Sequence, residues 1–125
     1  MRYLTVTEVL EIHAEVLDGH PALRDRRLLE SAVARPQASA FGRDAYPDIV
    51  SKAAGLLHSL VLNHPFLDGN KRTAVLAMLV FVDMNGYQLC WDQKEALNFV
   101  LRLAEGKIEI EDVVSYLRSR IRPKP

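Results

Sequence analysis

The feature that most constrains this chain is a run of nine residues, Ala74 to Val82, without one polar side chain. A helix apolar on every side is normally enclosed on every side, and this run is far short of the ~20 apolar residues that span a membrane. It predicts the central helix of a bundle, covering about Asn70–Met84. Directly before it stands His64-Pro65-Phe66-Leu67-Asp68-Gly69-Asn70-Lys71-Arg72-Thr73. A polar loop thus meets the N-terminus of a buried helix. Such a terminus offers unpaired N–H groups and the positive end of the helix dipole, and both favour a bound anion.

The flanking segments supply the rest of the bundle. Thr5-Val6-Thr7-Glu8 has the spacing of a capping box, and the helix it opens should end near Asp18-Gly19. Asp25 is placed to cap a helix over Arg26–Arg35, which Pro36 stops. Residues 36–47 read as an ordered surface loop with room for one helical turn. Asp48 can cap Ile49–Asn63, whose stripe of Val50, Ala53, Ala54, Leu57, Leu60 and Val61 faces inward. Asn85-Gly86 is a turn signal, and Tyr87–Trp91 is a strand candidate, half of a small hairpin. Asp92 can cap a helix over about Gln93–Ala104, with Ala96, Leu97, Val100, Leu101 and Leu103 inward. A last helix covers about Glu111–Ile121 and ends in a basic, solvated tail. The predicted fold class is all-α: one domain over residues 1–125, a compact irregular bundle of about six helices with a buried central helix and at most a small β-hairpin.

Sixteen basic residues balance sixteen acidic ones, so the charge gives no sign of broad nucleic-acid or membrane binding. The single cysteine, Cys90, cannot form an internal disulfide and lies between Leu89 and Trp91, which predicts a buried, inert thiol. Met1-Arg2-Tyr3-Leu4 leads directly into the first helix, the pattern of a cytoplasmic chain without a signal peptide.

The loop residues each have a plain and a chemical reading. His64 precedes proline, so extended geometry is expected; it is either a surface histidine or a general base. Phe66 is an anchor for the loop. Asp68 either stabilises the helix start or ligates Mg²⁺ together with phosphate oxygens. Gly69 lets a phosphate approach the backbone. Asn70 is an N-cap or orients a ligand. Lys71 and Arg72 oppose the helix dipole, so they call for a negative partner: a phosphate, or one of Asp68, Glu11 and Glu30. A zinc site from His58, His64 and Asp68 lacks the usual close ligand pairs. His13 and His20 read as structural or solvated, and the cluster Arg24 to Arg27 as a solvated helix start.

The stretch His64 to Arg72 resembles the signature loop of the Fic superfamily, and more closely its Doc ("death on curing") branch. Arg2-Tyr3-Leu4, Leu28-Leu29-Glu30-Ser31-Ala32, Arg35-Pro36-Gln37 and Asn85-Gly86-Tyr87 are similar to that branch as well. The resemblance implies roles. His64 is the base that deprotonates a hydroxyl of a target protein, Phe66 the anchor and Asp68 the Mg²⁺ ligand. Gly69, Asn70 and Lys71 form the anion-binding turn, and Arg72 binds phosphate. Two departures from AMP-transferring Fic proteins matter. Their Gly-Asn-Gly is Gly69-Asn70-Lys71 here, and their second arginine is Val75. The same lysine marks the Doc branch. The resemblance therefore implies a toxin of a toxin–antitoxin system: a protein kinase that takes the γ-phosphoryl of ATP to a threonine of a translation factor such as elongation factor Tu, with Mg²⁺. Its inhibitor would be a Phd-type antitoxin that folds a segment into a groove of the toxin. No internal inhibitory helix is found: Glu105-Gly106 has half of that motif, but Leu101 stands at its Ser/Thr position. AMP transfer, a catalytically silent binding module and metal-dependent hydrolysis are the alternatives.

Overall fold

Short polar side chains open most of the helices. In the computed structural model, which describes residues 1–125, Thr5 accepts the Glu8 N–H and Glu8 accepts the Thr5 N–H, opening α1 (Val6–Val16). Asp25 accepts the Leu28 N–H at the start of α2 (Arg26–Ala34). Asp48 does the same for Ser51 in α3 (Ile49–Asn63). α4 (Asn70–Met84) begins with no side-chain cap. Asp92 caps α5 (Gln93–Ala104), and α6 covers Ile110–Arg118. Each cap contributes ~1 kcal/mol. The stop of α1 differs from expectation: the left-handed residue is Asp18, φ 58°, and not Gly19. Asp18 and Gly19 N–H groups return to the carbonyls of Glu15 and Ala14, and a short polar side chain tolerates that conformation.

The six helices of an all-α bundle are thus present, but the helix at the centre is α3. Twelve of its residues are buried, among them Ala53, Ala54, Leu57 and Val61 with no exposed surface. α4 lies along it and contributes Ala74, Ala77, Met78, Phe81 and Val82 to a core cluster of 26 residues. The apolar run of α4 is not enclosed on every side: Leu76 is 41% and Val80 40% exposed. Its inner face fills the core and its outer face floors a groove. α5 behaves alike. Ala96 and Val100 are buried, but Leu97 is 59% and Leu101 38% exposed, against the inward placement that their apolarity predicts.

Two small antiparallel sheets complete the fold. β1 (Ser39–Ala40) and β2 (Arg43–Asp44) form a hairpin in what the sequence presents as a loop. Phe41 and Gly42 at its tip both have positive φ, which suits the twist of a two-residue turn. The buried Lys52 of α3 holds this segment by donating to the Pro36 carbonyl at 3.0 Å. β3 (Tyr87–Leu89) pairs with β4 (Ile121–Pro123), so its partner comes from the far end of the chain and not from a local hairpin. The predicted last helix accordingly stops at Arg118, and the supposed solvated tail is partly a strand. Cys90 is exposed. Leu89 and Trp91 are partly buried on either side of it, and in extended chain the residue between two inward side chains points outward. No helix is long and apolar enough to cross a membrane.

Candidate active site

The loop between α3 and α4 is held from three sides. Phe66 is 2% exposed. Its N–H donates to Asn70 Oδ1 at 3.0 Å, and its carbonyl accepts from Asn70 Nδ2 at 2.8 Å. Asn70 is therefore not the N-cap that its residue type predicts. It lies in the first turn of α4 and clamps the anchor residue. Below, the Phe66 ring stacks on the imidazole of His13 from α1, centroids 3.6 Å apart. His13 is fully buried, with Nδ1 2.9 Å from Thr73 Oγ1. Burial pushes its pKa below the ordinary histidine value; Asp68 opposes that shift and Arg72 reinforces it. On the third side runs the segment before α2. The Arg24 and Asp25 N–H groups donate to the Pro65 carbonyl, and the Leu67 N–H donates to Ala22. The Arg24 side chain reaches the carbonyls of His64 and Asn63.

This bracing leaves the start of α4 open. Its N-cap is Gly69, φ 74°, and no side chain accepts the first N–H groups. Glycine is required there for two reasons. The left-handed conformation disfavours a side chain, and a Cβ would lie 3.2 Å from Val16 Cγ1 and 3.3 Å from Leu17 Cδ2. The space beside Gly69 is thus taken by the end of α1. Asp68 is exposed, and one carboxylate oxygen accepts the Gly69 N–H at 2.8 Å. Lys71 and Arg72 are exposed in the first turn. Neither belongs to any of the five ion pairs, so Asp68, Glu11 and Glu30 do not neutralise them. Uncapped N–H groups, a positive helix end and two unpaired cations share the first turn of α4. Such an arrangement favours an anion.

A family model described as "Fic/DOC family" matches residues 3–82, more than half of the chain and the whole loop. The chain belongs to the Fic/DOC family. Among curated relatives, a protein named "Toxin Doc" from Mycolicibacterium smegmatis is 49% identical over 117 residues, covering 92% of this chain and 90% of the relative. Another, "Protein kinase doc" of Escherichia phage P1, is 29% identical over 121 residues, covering 94% of each.

The Fic/DOC loop gathers His64, Phe66, Asp68, Gly69, Asn70, Lys71 and Arg72 at one end of α4. His58 stands apart. Its Nδ1 faces Arg35 at 2.6 Å, on a cluster that also includes Ser59 and Tyr46. Burial foremost, and then Arg35, hold its pKa below the usual range. No group of three His, Cys, Asp or Glu side chains is placed to hold a metal ion, so the zinc arrangement from His58, His64 and Asp68 is not formed. His64 is exposed and left-handed, φ 49° and ψ 55°, not extended as the following proline predicts; it is the residue just past the end of α3. His13, read from the sequence as structural or solvated, is structural, and Arg24, read as part of a solvated helix start, is exposed but bonds the loop; the sequence placed neither beside the loop. Each lies dozens of positions from the loop, and no local spacing announces the contact. Beside the loop, Val16, Lys71, Arg72, Val75, Leu76, Leu79, Trp91 and Leu97 line part of a groove of about 440 Å³ between α4 and α5.

Proposed function

We propose that this Fic/DOC protein is a Doc-type toxin: a protein kinase that transfers the γ-phosphoryl of ATP to a hydroxyl of a translation factor. The observation that carries this reading is the uncapped start of α4 with two unpaired cations. A phosphate chain supplies the missing negative partner. Arg72 offers a bidentate grip and Lys71 a point charge. The free oxygen of Asp68 suits Mg²⁺, which one carboxylate holds when phosphate oxygens complete its shell. Bound Mg²⁺ would neutralise charge on the transferred group. His64 takes the hydroxyl proton as the new O–P bond forms and ADP leaves. Phosphoryl transfer needs positioning and charge neutralisation above all, and the braced loop supports both.

Lys71 favours phosphoryl over AMP transfer. Its side chain rises where AMP-transferring relatives have glycine, and Val75 leaves no second arginine for the far phosphate. The name of the phage relative, a protein kinase, agrees with this choice. Incubation with translation extract and ATP labelled at the γ or, separately, the α position is the test. Label is expected on a translation factor, such as elongation factor Tu, from the γ position alone. Label from the α position would replace the kinase reading by AMP transfer.

The groove beside the loop fits the partner of such a toxin, an antitoxin of Phd type whose segment folds as it binds. Apolar residues line most of it, and Lys71 and Arg72 stand among the lining residues, an arrangement suited to the apolar face of a helix with an acidic end. Leu97 is the most exposed leucine of the lining. Leu97→Glu is expected to weaken antitoxin binding by more than about 30-fold, the loss of one hot-spot contact of about 2 kcal/mol. Transfer activity should be retained. Calorimetric titration reads the first and labelled ATP the second; unchanged antitoxin affinity would remove the groove from the interface.

A further inference from the structure

His64 holds a backbone conformation that its neighbours in sequence oppose. Proline at the next position favours extended geometry. The left-handed region costs a side-chain-bearing residue about 1–2 kcal/mol. Such a conformation persists only where the surroundings over-determine it. The one side chain that bonds the backbone of His64 itself is a guanidinium. Arg24 Nε donates to the His64 carbonyl at 2.6 Å, and a terminal nitrogen donates to the Asn63 carbonyl at 2.9 Å.

These carbonyls lie at the end of α3, where no following turn supplies N–H partners. A cation there also complements the negative end of the helix dipole. Two consecutive carbonyls suit the planar fork of arginine, while a lysine ammonium is a single point on a flexible stem. Arg24 belongs to no ion pair. The N–H of the same residue binds the Pro65 carbonyl, so side chain and backbone together grip three successive carbonyls, Asn63, His64 and Pro65. All three bonds fall on the loop backbone, and the imidazole is left free for chemistry. On the other side of His64, Asn70 fixes Phe66. The base is thus suspended between two backbone clamps.

We propose that Arg24 is a positioning residue for the transfer reaction: it locks the backbone of His64 in the left-handed conformation that aims the imidazole at the target hydroxyl. The inference rests on the reading of His64 as the base. Because Arg24 touches no anion-site residue, its loss acts on the base and not on ATP. In Arg24→Ala, kcat is expected to fall about 100-fold, the usual cost of a reacting group misplaced by about 1 Å, with KM for ATP within about twofold of wild type. Arg24→Lys should lie between the two, and added guanidinium should restore part of the activity of Arg24→Ala. The ring signals of His64 in ¹H–¹⁵N spectra should move in Arg24→Ala while those of His58 stay.

Wild-type kcat in Arg24→Ala overturns the proposal. So does a rise in KM for ATP that matches the fall in kcat, or a fall in melting temperature large enough to explain the loss. Arg24→Lys serves where the alanine variant does not fold. A wild-type protein that transfers nothing from ATP sinks the functional reading instead. The His64 ring signals then decide the positioning role by themselves: unmoved signals in Arg24→Ala overturn it, and displaced signals uphold it.

Discussion

Replacing His64 by alanine is expected to lower transfer to the target by about 10²–10⁴-fold, the contribution of a positioned general base, and to leave the fold intact. The imidazole is exposed, and the hydrogen bond that ties this residue to the protein uses its backbone carbonyl. Removal of the ring therefore opens no cavity and strands no buried partner. Melting temperature should stay within the narrow range of surface substitutions, about 0.5 kcal/mol. ATP should still bind, since Asp68, Lys71, Arg72 and the N–H groups of α4 are untouched. Single-turnover transfer measured beside ATP affinity separates the two steps. A His64→Ala variant that transfers phosphate and arrests translation as wild type does would remove this residue from the chemistry. If it arrests translation without transferring anything, and groove substitutions abolish arrest, the protein is a binding module.

Phe66→Ala is expected to do the reverse, with its primary damage to the fold. The ring is enclosed, stacks on the buried His13, and its backbone is clamped by Asn70. Truncation of a buried phenylalanine costs about 3–5 kcal/mol, the transfer term plus the cavity it leaves. That is a large fraction of the 5–15 kcal/mol that stabilises a typical domain. It also uncovers His13, whose Nε2 is already buried without a hydrogen-bond partner. Urea unfolding should show the midpoint lowered by that free energy divided by an unchanged slope. Transfer activity should fall as well, because the loop loses its floor. Phe66→Leu, which refills most of the volume, should recover much of the stability. A Phe66→Ala unfolding free energy within about 1 kcal/mol of wild type, on the scale of a surface substitution, would mean that the ring anchors nothing.

The two substitutions differ because the loop combines an exposed working side chain with a buried supporting one two positions away. The same division explains what could be read from the chain alone. Caps act over three or four residues, so Thr5, Asp25, Asp48 and Asp92 located four helix starts; the expected stop at Pro36 differs, since α2 ends at Ala34 and a 3-10 turn over Arg35–Gln37 carries helical geometry through the proline. The loop itself was legible because its charged and polar residues lie within nine consecutive positions, from His64 to Arg72. Lys71 and Arg72 in particular were out of place at a positive helix end, and the structure leaves them unpaired.

What sequence alone could not supply was long-range. An apolar run says that a helix has buried surface; it does not say which faces. α3, not α4, became the centre because α1, α2, α4, α5 and α6 all lean on it or on its neighbours, while Leu76, Val80 and Leu97 were left to line or border a groove. β3 found its partner some thirty residues away at the C-terminal end. The residue before a proline is extended by local sterics, yet His64 is left-handed, and its carbonyl accepts from Arg24, 40 positions earlier. The sequence by itself determined the helices and the residue types gathered in the loop, since both depend on near neighbours. The tertiary structure decided which face is open and how the backbone of His64 is held, since those depend on contacts that only the folded chain brings within hydrogen-bonding range.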